Sequence, residues 1–243
     1  MPDDSMEVQE LLTKVSTVTS PVELWQLLAD KFAEHQIGMA SYHLYDMTAG
    51  KVTVAAYGHP RPFQKDYVDK QYAKLDPIHQ YALQNGAPFR WKDIRKLAEI
   101  SSEQDAFLRL AKDAGLFDGV GFGVYGPKMR HGFVGLGFGP DTPEPSEGLI
   151  WSFQLICQAG HIRYCELISD EGSVELTARE RETLEWMASG KSNSVIAQIM
   201  DISPHTVDTN VRRIYSKLGV SDRTTATLKG LGAGVLHLSD VIT

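Results

Sequence analysis

The sequence predicts an α+β protein: an N-terminal α-β-α sandwich, in which an antiparallel sheet carries helices on its faces, followed by an all-α four-helix helix-turn-helix unit. Three observations carry this expectation. Residues 176–225 hold four short helices, each with its own start and stop residues. Residues 40–138 hold two pairs of strand-like runs separated by helical stretches. The 243-residue length exceeds a usual single domain and leaves roughly 170 residues ahead of the four-helix unit, enough for a proper core. The expected boundaries are residues 1–168 for a ligand-binding domain, 169–174 for a linker containing Asp170, Glu171 and Gly172, and 175–243 for the helix-turn-helix domain.

In chain order, residues 8–18 and 21–35 have helical periodicity, with Leu24, Leu27, Leu28 and Phe32 on one face. Two strands follow at residues 40–46 and 51–57, and the turn-rich Met47-Thr48-Ala49-Gly50 between them predicts a hairpin. Helices are expected at residues 62–73, 77–84 and 101–114, then strands at 119–125 and 132–138. Residues 145–168 form a long helix carrying Leu149, Phe153, Ile156, Cys157, Gly160, Tyr164 and Leu167 along one side. Most of that stripe is assigned to the core and the remainder to a second subunit.

In the C-terminal part, Thr177 and Glu180 fit the reciprocal pattern in which a threonine hydroxyl caps a helix start and a glutamate three residues on reaches back. Leu184, Met187 and Ala188 mark the buried face, and Gly190 supplies a left-handed stop. Ser192 caps a second helix with Val195, Ile196, Ile199 and Met200 as its apolar side. Ser203-Pro204 opens a third, closed by Gly219, and Ser221 opens a fourth through Thr225, Ala226 and Leu228.

On the third helix Val207, Val211, Ile214 and Leu218 share one face, leaving His205, Asp208, Thr209, Arg212 and Ser216 on the other, flanked by Arg213 and Lys217. A polar stripe alone reads as a solvated surface, and an Asp208–Arg212 pair is worth only about 0.2–0.5 kcal/mol. Its position on the outward helix of a helix-turn-helix favours double-stranded DNA, where an arginine forks onto guanine edges and a lysine suits phosphates. Docking of a protein partner by the same face is the competing reading.

Composition restricts the alternatives. The net charge is −7, yet residues 173–243 hold eight Lys or Arg and eight Asp or Glu, so the acidity belongs upstream. A neutral domain binds DNA only through clustered cations, and therefore in a salt-sensitive way. Cys157 and Cys165 lie eight positions apart on one expected helix, about 12 Å along its axis, too far to bridge. Reduced thiols, no apolar run near ~20 residues and no signal-peptide pattern at Met1-Pro2-Asp3-Asp4 predict a cytoplasmic protein without membrane contact. No metal spacing or cofactor motif is present. The run Gly119-Val120-Gly121-Phe122-Gly123 lacks the helix and lysine of a phosphate loop. An enzyme using His43, His79 and Asp76 has no nucleophile–base motif behind it.

The run 176–184, with Gly190-Lys191-Ser192-Asn193, Ile196-Ala197, Ser203, Thr206-Val207 and Lys217-Leu218-Gly219-Val220, resembles the DNA-binding domain of LuxR-type transcription factors. The resemblance makes Glu180, Leu184 and Gly190 framework residues and places Thr209 and Arg212 where that family reads bases. Lys191, Thr206, Arg213 and Lys217 become backbone-contact candidates, with Asp208 on the same face. Asn210 stands where many members have histidine.

Upstream, His59-Pro60, Phe63, Tyr67, Asp76-Pro77, Pro88, Trp91, Gly115 and Gly119 resemble the acyl-homoserine-lactone-binding domain of the same family. That resemblance gives Asp76 the ligand's amide N–H, Tyr67 the acyl carbonyl and Trp91 a packing role over the lactone. At Phe63 the family usually has tryptophan, whose indole N–H serves the lactone carbonyl. Phenylalanine has no donor, so another donor reaches that carbonyl, or the ligand lacks it, or lactones bind poorly. His59 is either such a donor or a surface histidine ahead of Pro60. Ile78 and Phe138 are expected to narrow the acyl pocket. Structural readings compete here: Asp76 as a helix cap, Tyr67 as a core tyrosine, Trp91 as a seal on a loop. The implied partners are a small-molecule signal, an acyl-homoserine lactone or analogue; double-stranded DNA as an inverted repeat; a second copy of the chain; and RNA polymerase. The competing ligand reading is a non-lactone signal or none.

Overall fold

The computed structural model describes residues 4–46, 51–139, 141–168 and 174–240. The residues of the expected linker from 169 to 173, and the expected turn at 47–50, lie outside the described residues. Helices α1 (Asp4–Thr17) and α2 (Pro21–Glu34) precede β1 (Ile37–Asp46) and β2 (Lys51–Tyr57). Then come α3 (Arg61–Asp69), α4 (Pro77–Gln84), β3 (Phe89–Arg90), α5 (Ile94–Leu97) and α6 (Ser102–Asp113). Strands β4 (Asp118–Tyr125) and β5 (His131–Phe138) lead into α7 (Glu147–Leu167), followed by α8 (Ala178–Ala188), α9 (Asn193–Ile199), α10 (Pro204–Leu218) and α11 (Arg223–Ala233). The chain divides into two compact units, one of Met1–Tyr45, Val52–Pro127 and His131–Ser169, the other of Asp170–Thr243 with Asp46–Lys51 and Lys128–Arg130.

In the first unit the sheet order is β2-β1-β5-β4-β3, and β1 with β5, β5 with β4 and β4 with β3 are antiparallel. Period-two alternation explains its two faces. Val120, Phe122 and Val124 of β4 and Val134, Leu136 and Phe138 of β5 point to one side. There they join Leu24, Leu28, Phe32, Ile150, Phe153 and Ile156 of α2 and α7 in the main core. The intervening positions are Gly119, Gly121 and Gly123 on β4 and Gly135 and Gly137 on β5. The opposite face of the central strands is therefore nearly free of side chains, and α4 to α6 pack over it around Ile78, Ala82, Phe89, Ile94 and Phe133. The expected sandwich is observed, and the glycine row gives one of its interfaces spare depth.

Several local expectations are corrected. Phe138 does not narrow a pocket: it has the same parity as Leu136 and lies in the α2–α7 core. The helix expected over residues 62–73 stops at Asp69, and a separate 3-10 turn at Tyr72–Lys74 follows a left-handed Gln71 (φ 53°). Strand β3 and helix α5 were not expected; two and four residues are too short to show a period. On α7 the buried side is Ile150, Phe153, Ile156, Cys157, Gly160, His161 and Cys165, while Trp151, Leu155 and Ile162 are exposed.

The second unit follows its punctuation closely. Thr177 and Glu180 form the reciprocal cap of α8, Ser192 caps α9, Ser203 caps α10 ahead of Pro204, and Gly219 closes α10 with φ 62°. Leu184, Met187, Ile196, Val207, Val211, Ile214 and Leu218 build the core. Val195 and Ile199 are exposed, not buried as expected, because α9 is only two turns long and presents one narrow stripe inward. The cap of α11 is Asp222, not Ser221: its carboxylate accepts the Thr225 N–H at 2.9 Å. Among the described residues no helix is long and apolar enough to cross a membrane.

Candidate functional site

Over the glycine face of the sheet lies a cavity of about 760 Å³, within the range that holds a small organic ligand. Its walls include Ser41 and His43 from β1, Val54 and Ala56 from β2, Phe63 and Tyr67 from α3, Phe107 and Ala111 from α6, and Phe133 from β5. Trp91 lies across the glycines: a Cβ on Gly119 would come 2.8 Å from its ring, and one on Gly121 would come 3.2 Å from its Nε1. A side chain at Gly119 would also meet the Leu136 carbonyl at 2.4 Å. The glycines are thus required by a close approach, and Trp91 forms part of the wall.

All five sequence-derived ligand candidates, His59, Phe63, Tyr67, Asp76 and Trp91, line this cavity, as does Ile78. Asp76 caps α4, one of the roles foreseen for it, and also holds Tyr67. One oxygen caps α4, accepting the Ile78 N–H at 2.9 Å, and the other accepts the Tyr67 hydroxyl at 2.9 Å. Burial pushes its carboxyl up to about 6, against the opposing pull of Tyr67 and the backbone N–H groups of His79 and Ile78. Tyr67 is itself raised by burial and by Asp76, so its proton stays on and it remains a donor. Phe63 packs as a plain aromatic, 6.4 Å from Phe107 and 6.1 Å from Tyr67 between ring centres.

Two ring nitrogens in the wall, the Trp91 Nε1 donor and His59 Nε2, are buried with no hydrogen-bond partner among the described residues. Leaving such a group unpaired costs about 1–3 kcal/mol. His59 is half-buried, with its Nε2 enclosed at the cavity wall. The unpaired Trp91 nitrogen has no sequence signal, since it depends on where the ring lies over the sheet.

From His43 in the wall a cluster extends inward that sequence periodicity did not reveal as a unit. His43 and His79 are 4 % and 3 % exposed, with ring centres 5.1 Å apart, and the Tyr45 hydroxyl sits 2.6 Å from His79 Nε2. Burial lowers His43 to about 3, helped by the charges of His79 and His59, and lowers His79 to about 4 against the Ala73 carbonyl. Both histidines favour the folded state while neutral, a contribution complete above pH ~6.5 and lost as pH falls toward the folded values. Asp76 acts oppositely, because its raised value takes up a proton on folding below about pH 6. Near pH 5 the unfolded chain therefore binds two histidine protons against one extra on folded Asp76, a net of about one proton or ~1.4 kcal/mol per pH unit. The ligand-free chain is expected to melt several degrees lower at pH 5 than at pH 7, and His43→Gln should shrink that difference. An equal melting temperature at both pH values would contradict the buried neutral pair.

In the second unit, α10 presents Thr206, Asp208, Arg212 and Arg213 as exposed residues and Thr209 as half-exposed, with Lys191 exposed ahead of α9. No ion pair involves Arg212 or Arg213 among the described residues, so both guanidinium forks are available. Asn193 on α9 donates to Asp208 at 2.9 Å and links the two helices of the motif. Arg223 on α11 bonds the Lys191 carbonyl and approaches Asn193 at 3.4 Å, fixing the turn before α9. Thr209 spends its hydroxyl proton on the His205 carbonyl at 2.9 Å. Asn210 points inward, 7 % exposed, and donates to Thr183 at 3.1 Å. Lys217 also turns inward, with its ammonium 2.7 Å from buried Glu180 and 3.0 Å from the Glu175 carbonyl. Burial would raise the Glu180 carboxyl, but Lys217 and the Thr177 bonds outweigh it and hold it below its ordinary value.

Residues 20–164 match the family described as "Autoinducer binding domain", and residues 174–229 match "Bacterial regulatory proteins, luxR family". The chain is 24% identical to the transcriptional activator protein AnoR of Acinetobacter nosocomialis, over 94% of this chain and 98% of that protein. Its structure is similar to that of Escherichia coli SdiA, with a TM-score of 0.77 and 21% identity over 96% of this chain and 99% of the other. SdiA in complex with octanoyl-rac-glycerol gives a TM-score of 0.76 at 19% identity, over 98% of each chain.

Proposed function

Since this chain belongs to the luxR family of bacterial regulatory proteins and carries its autoinducer-binding domain, and so is an autoinducer-binding transcriptional regulator of quorum-sensing type, we propose that its signal is an acyl-homoserine lactone or close analogue. The observation that carries this reading is the buried Asp76–Tyr67 pair in the wall of an apolar cavity. An acyl amide needs one acceptor and one donor. Asp76 accepts the ligand N–H and Tyr67 turns its hydroxyl to the acyl carbonyl. With Phe63 unable to donate, Trp91 Nε1, a buried donor with no partner among the described residues, serves the lactone carbonyl.

Each protomer binds one half of an inverted DNA repeat. Arg212 and Thr209 reach base edges; Lys191, Thr206 and Arg213 hold phosphates. Pairing of two copies uses the exposed Trp151, Leu155 and Ile162, which recur at i, i+4 and i+11 on α7. The protein acts in the cytoplasm, with RNA polymerase as a downstream partner.

The test is a thermal-shift panel of lactones added to the full chain. At a hundredfold excess over Kd a ligand stabilises the folded state by about 2.7 kcal/mol, a rise on the order of 5–10 °C for a chain of this size. No shift with any lactone would remove the assignment. A second reading rests on Phe63: a head group without a ring carbonyl, such as the acylglycerol in the SdiA complex, needs no donor there. A shift with octanoyl glycerol and none with lactones would select it.

A further inference from the structure

The cavity has an unbalanced charge at its mouth. Its lining contains six cations, Arg61, Lys65, Lys92, Arg95, Arg109 and Lys112, against the single carboxylate of Asp76, in a chain whose net charge is −7. Three of the six are ion-paired: Lys92 with Glu144, and Arg95 and Arg109 with the one carboxylate of Asp105. Arg61, Lys65 and Lys112 have no ion-pair partner among the described residues, and nearby Asp66 is taken by Lys70 at 2.8 Å.

Exposure separates these three from Asp76, which is buried while they are exposed. On α3, Phe63 and Tyr67 are half-buried and face inward, whereas Arg61, Lys65 and Val68 recur at i, i+4 and i+7 on the adjacent, exposed face. On α6, Phe107 and Ala111 are buried, while Lys112 is exposed and one turn beyond Leu108. Two helices that both line the cavity therefore each turn an apolar face to its depth and a cationic edge to its mouth.

Resting on the acyl-ligand reading above, we infer that the cognate signal carries a second polar group, an anionic one such as a carboxylate or phosphate, at the end of its chain remote from the amide. Arg61, Lys65 and Lys112 hold it at the mouth, and the apolar chain runs inward past Val68 and Phe107. Each cation is exposed, so each contributes little alone and the set is screened by salt.

The experiment compares three probes on the full chain by calorimetry: dodecanoyl homoserine lactone, its ω-carboxylate analogue, and dodecanoate. The ω-carboxylate is expected to bind about tenfold tighter than the plain lactone at low ionic strength, three weak pairs together. That ratio should fall several-fold at 0.5 M salt and collapse toward one in R61Q/K65Q/K112Q. If the triple variant fails to fold, the salt dependence of the wild-type ratio decides. Equal binding of the two lactones, or a ratio indifferent to salt, overturns the anionic end while leaving the lactone reading in place. Binding of dodecanoate alone, lost in the triple variant, keeps the anion site and removes the lactone. Binding of none of the three removes both.

Discussion

Asp76→Ala is expected to erase the ligand-induced rise in melting temperature while changing the ligand-free chain only modestly. Two losses oppose one gain. Removing the α4 cap costs about 1 kcal/mol, and the Tyr67 hydroxyl, 2.9 Å from Asp76, loses its acceptor at a further cost of about 1–3 kcal/mol. Against this, burial raises the carboxyl from 3.8 to about 6 even with those hydrogen bonds in place, so the charged form is disfavoured at pH 7 and its removal relieves part of the loss. The ligand has no such compensation, since an amide N–H buried without its charged acceptor forfeits about 1.5–3 kcal/mol, a 10- to 100-fold loss of affinity. Asp76→Asn keeps the cap and should remove the contribution of this residue to the pH dependence below pH 6. Melting curves with and without lactone for both variants check this. An undiminished ligand shift in Asp76→Ala would show that the amide is bound elsewhere.

Arg212→Ala and Lys217→Ala are expected to fail in opposite ways. Arg212 is exposed on α10 and has no ion-pair partner among the described residues, so its truncation should leave the melting temperature within a degree or so and cost about 1–3 kcal/mol of specific DNA affinity. Lys217 is held by Glu180, which is 2 % exposed. Its removal strands a buried carboxylate and should destabilise the second unit by about 1–3 kcal/mol, less than a fully buried pair because Lys217 is 38% exposed. Titration of an operator fragment and a non-specific duplex, beside thermal melts, separates the two. A stable Lys217→Ala with weakened binding to both duplexes would return that lysine to the phosphate-contacting set.

The helix-turn-helix was legible because its information is local. Thr177 with Glu180, Ser203 with Pro204 and Gly219 each fix a boundary through contacts within four residues, and the structure reproduces them. Errors arose where the next element decides. Val195 and Ile199 are apolar yet exposed, and Ser221 yields the cap to Asp222, whose carboxylate reaches Thr225. Asn210 and Lys217 lie on or near the polar arc of α10 but reach across to Thr183 and Glu180 on α8. No helical wheel contains that neighbour.

In the first unit, the pattern of strands and helices was visible, and so was the resemblance carried by His59, Phe63, Tyr67, Asp76 and Trp91. The alternation of glycine with valine and phenylalanine along β4 held a further signal, a strand with one bare face, whose meaning required β5 to repeat it beside β4. The sequence by itself determined the element order, the caps and the residue types of a regulator with a sensing domain and a DNA-reading domain, because propensity, capping and periodicity act within a few residues. Only the tertiary structure decided that Phe138 belongs to the core, that Trp91 lies across Gly119 and Gly121, that His43 and His79 are buried together, and that three cations at the cavity mouth have no ion-pair partner among the described residues. Those facts depend on which distant segments meet, and burial, hydrogen-bond satisfaction and charge balance are properties of such meetings.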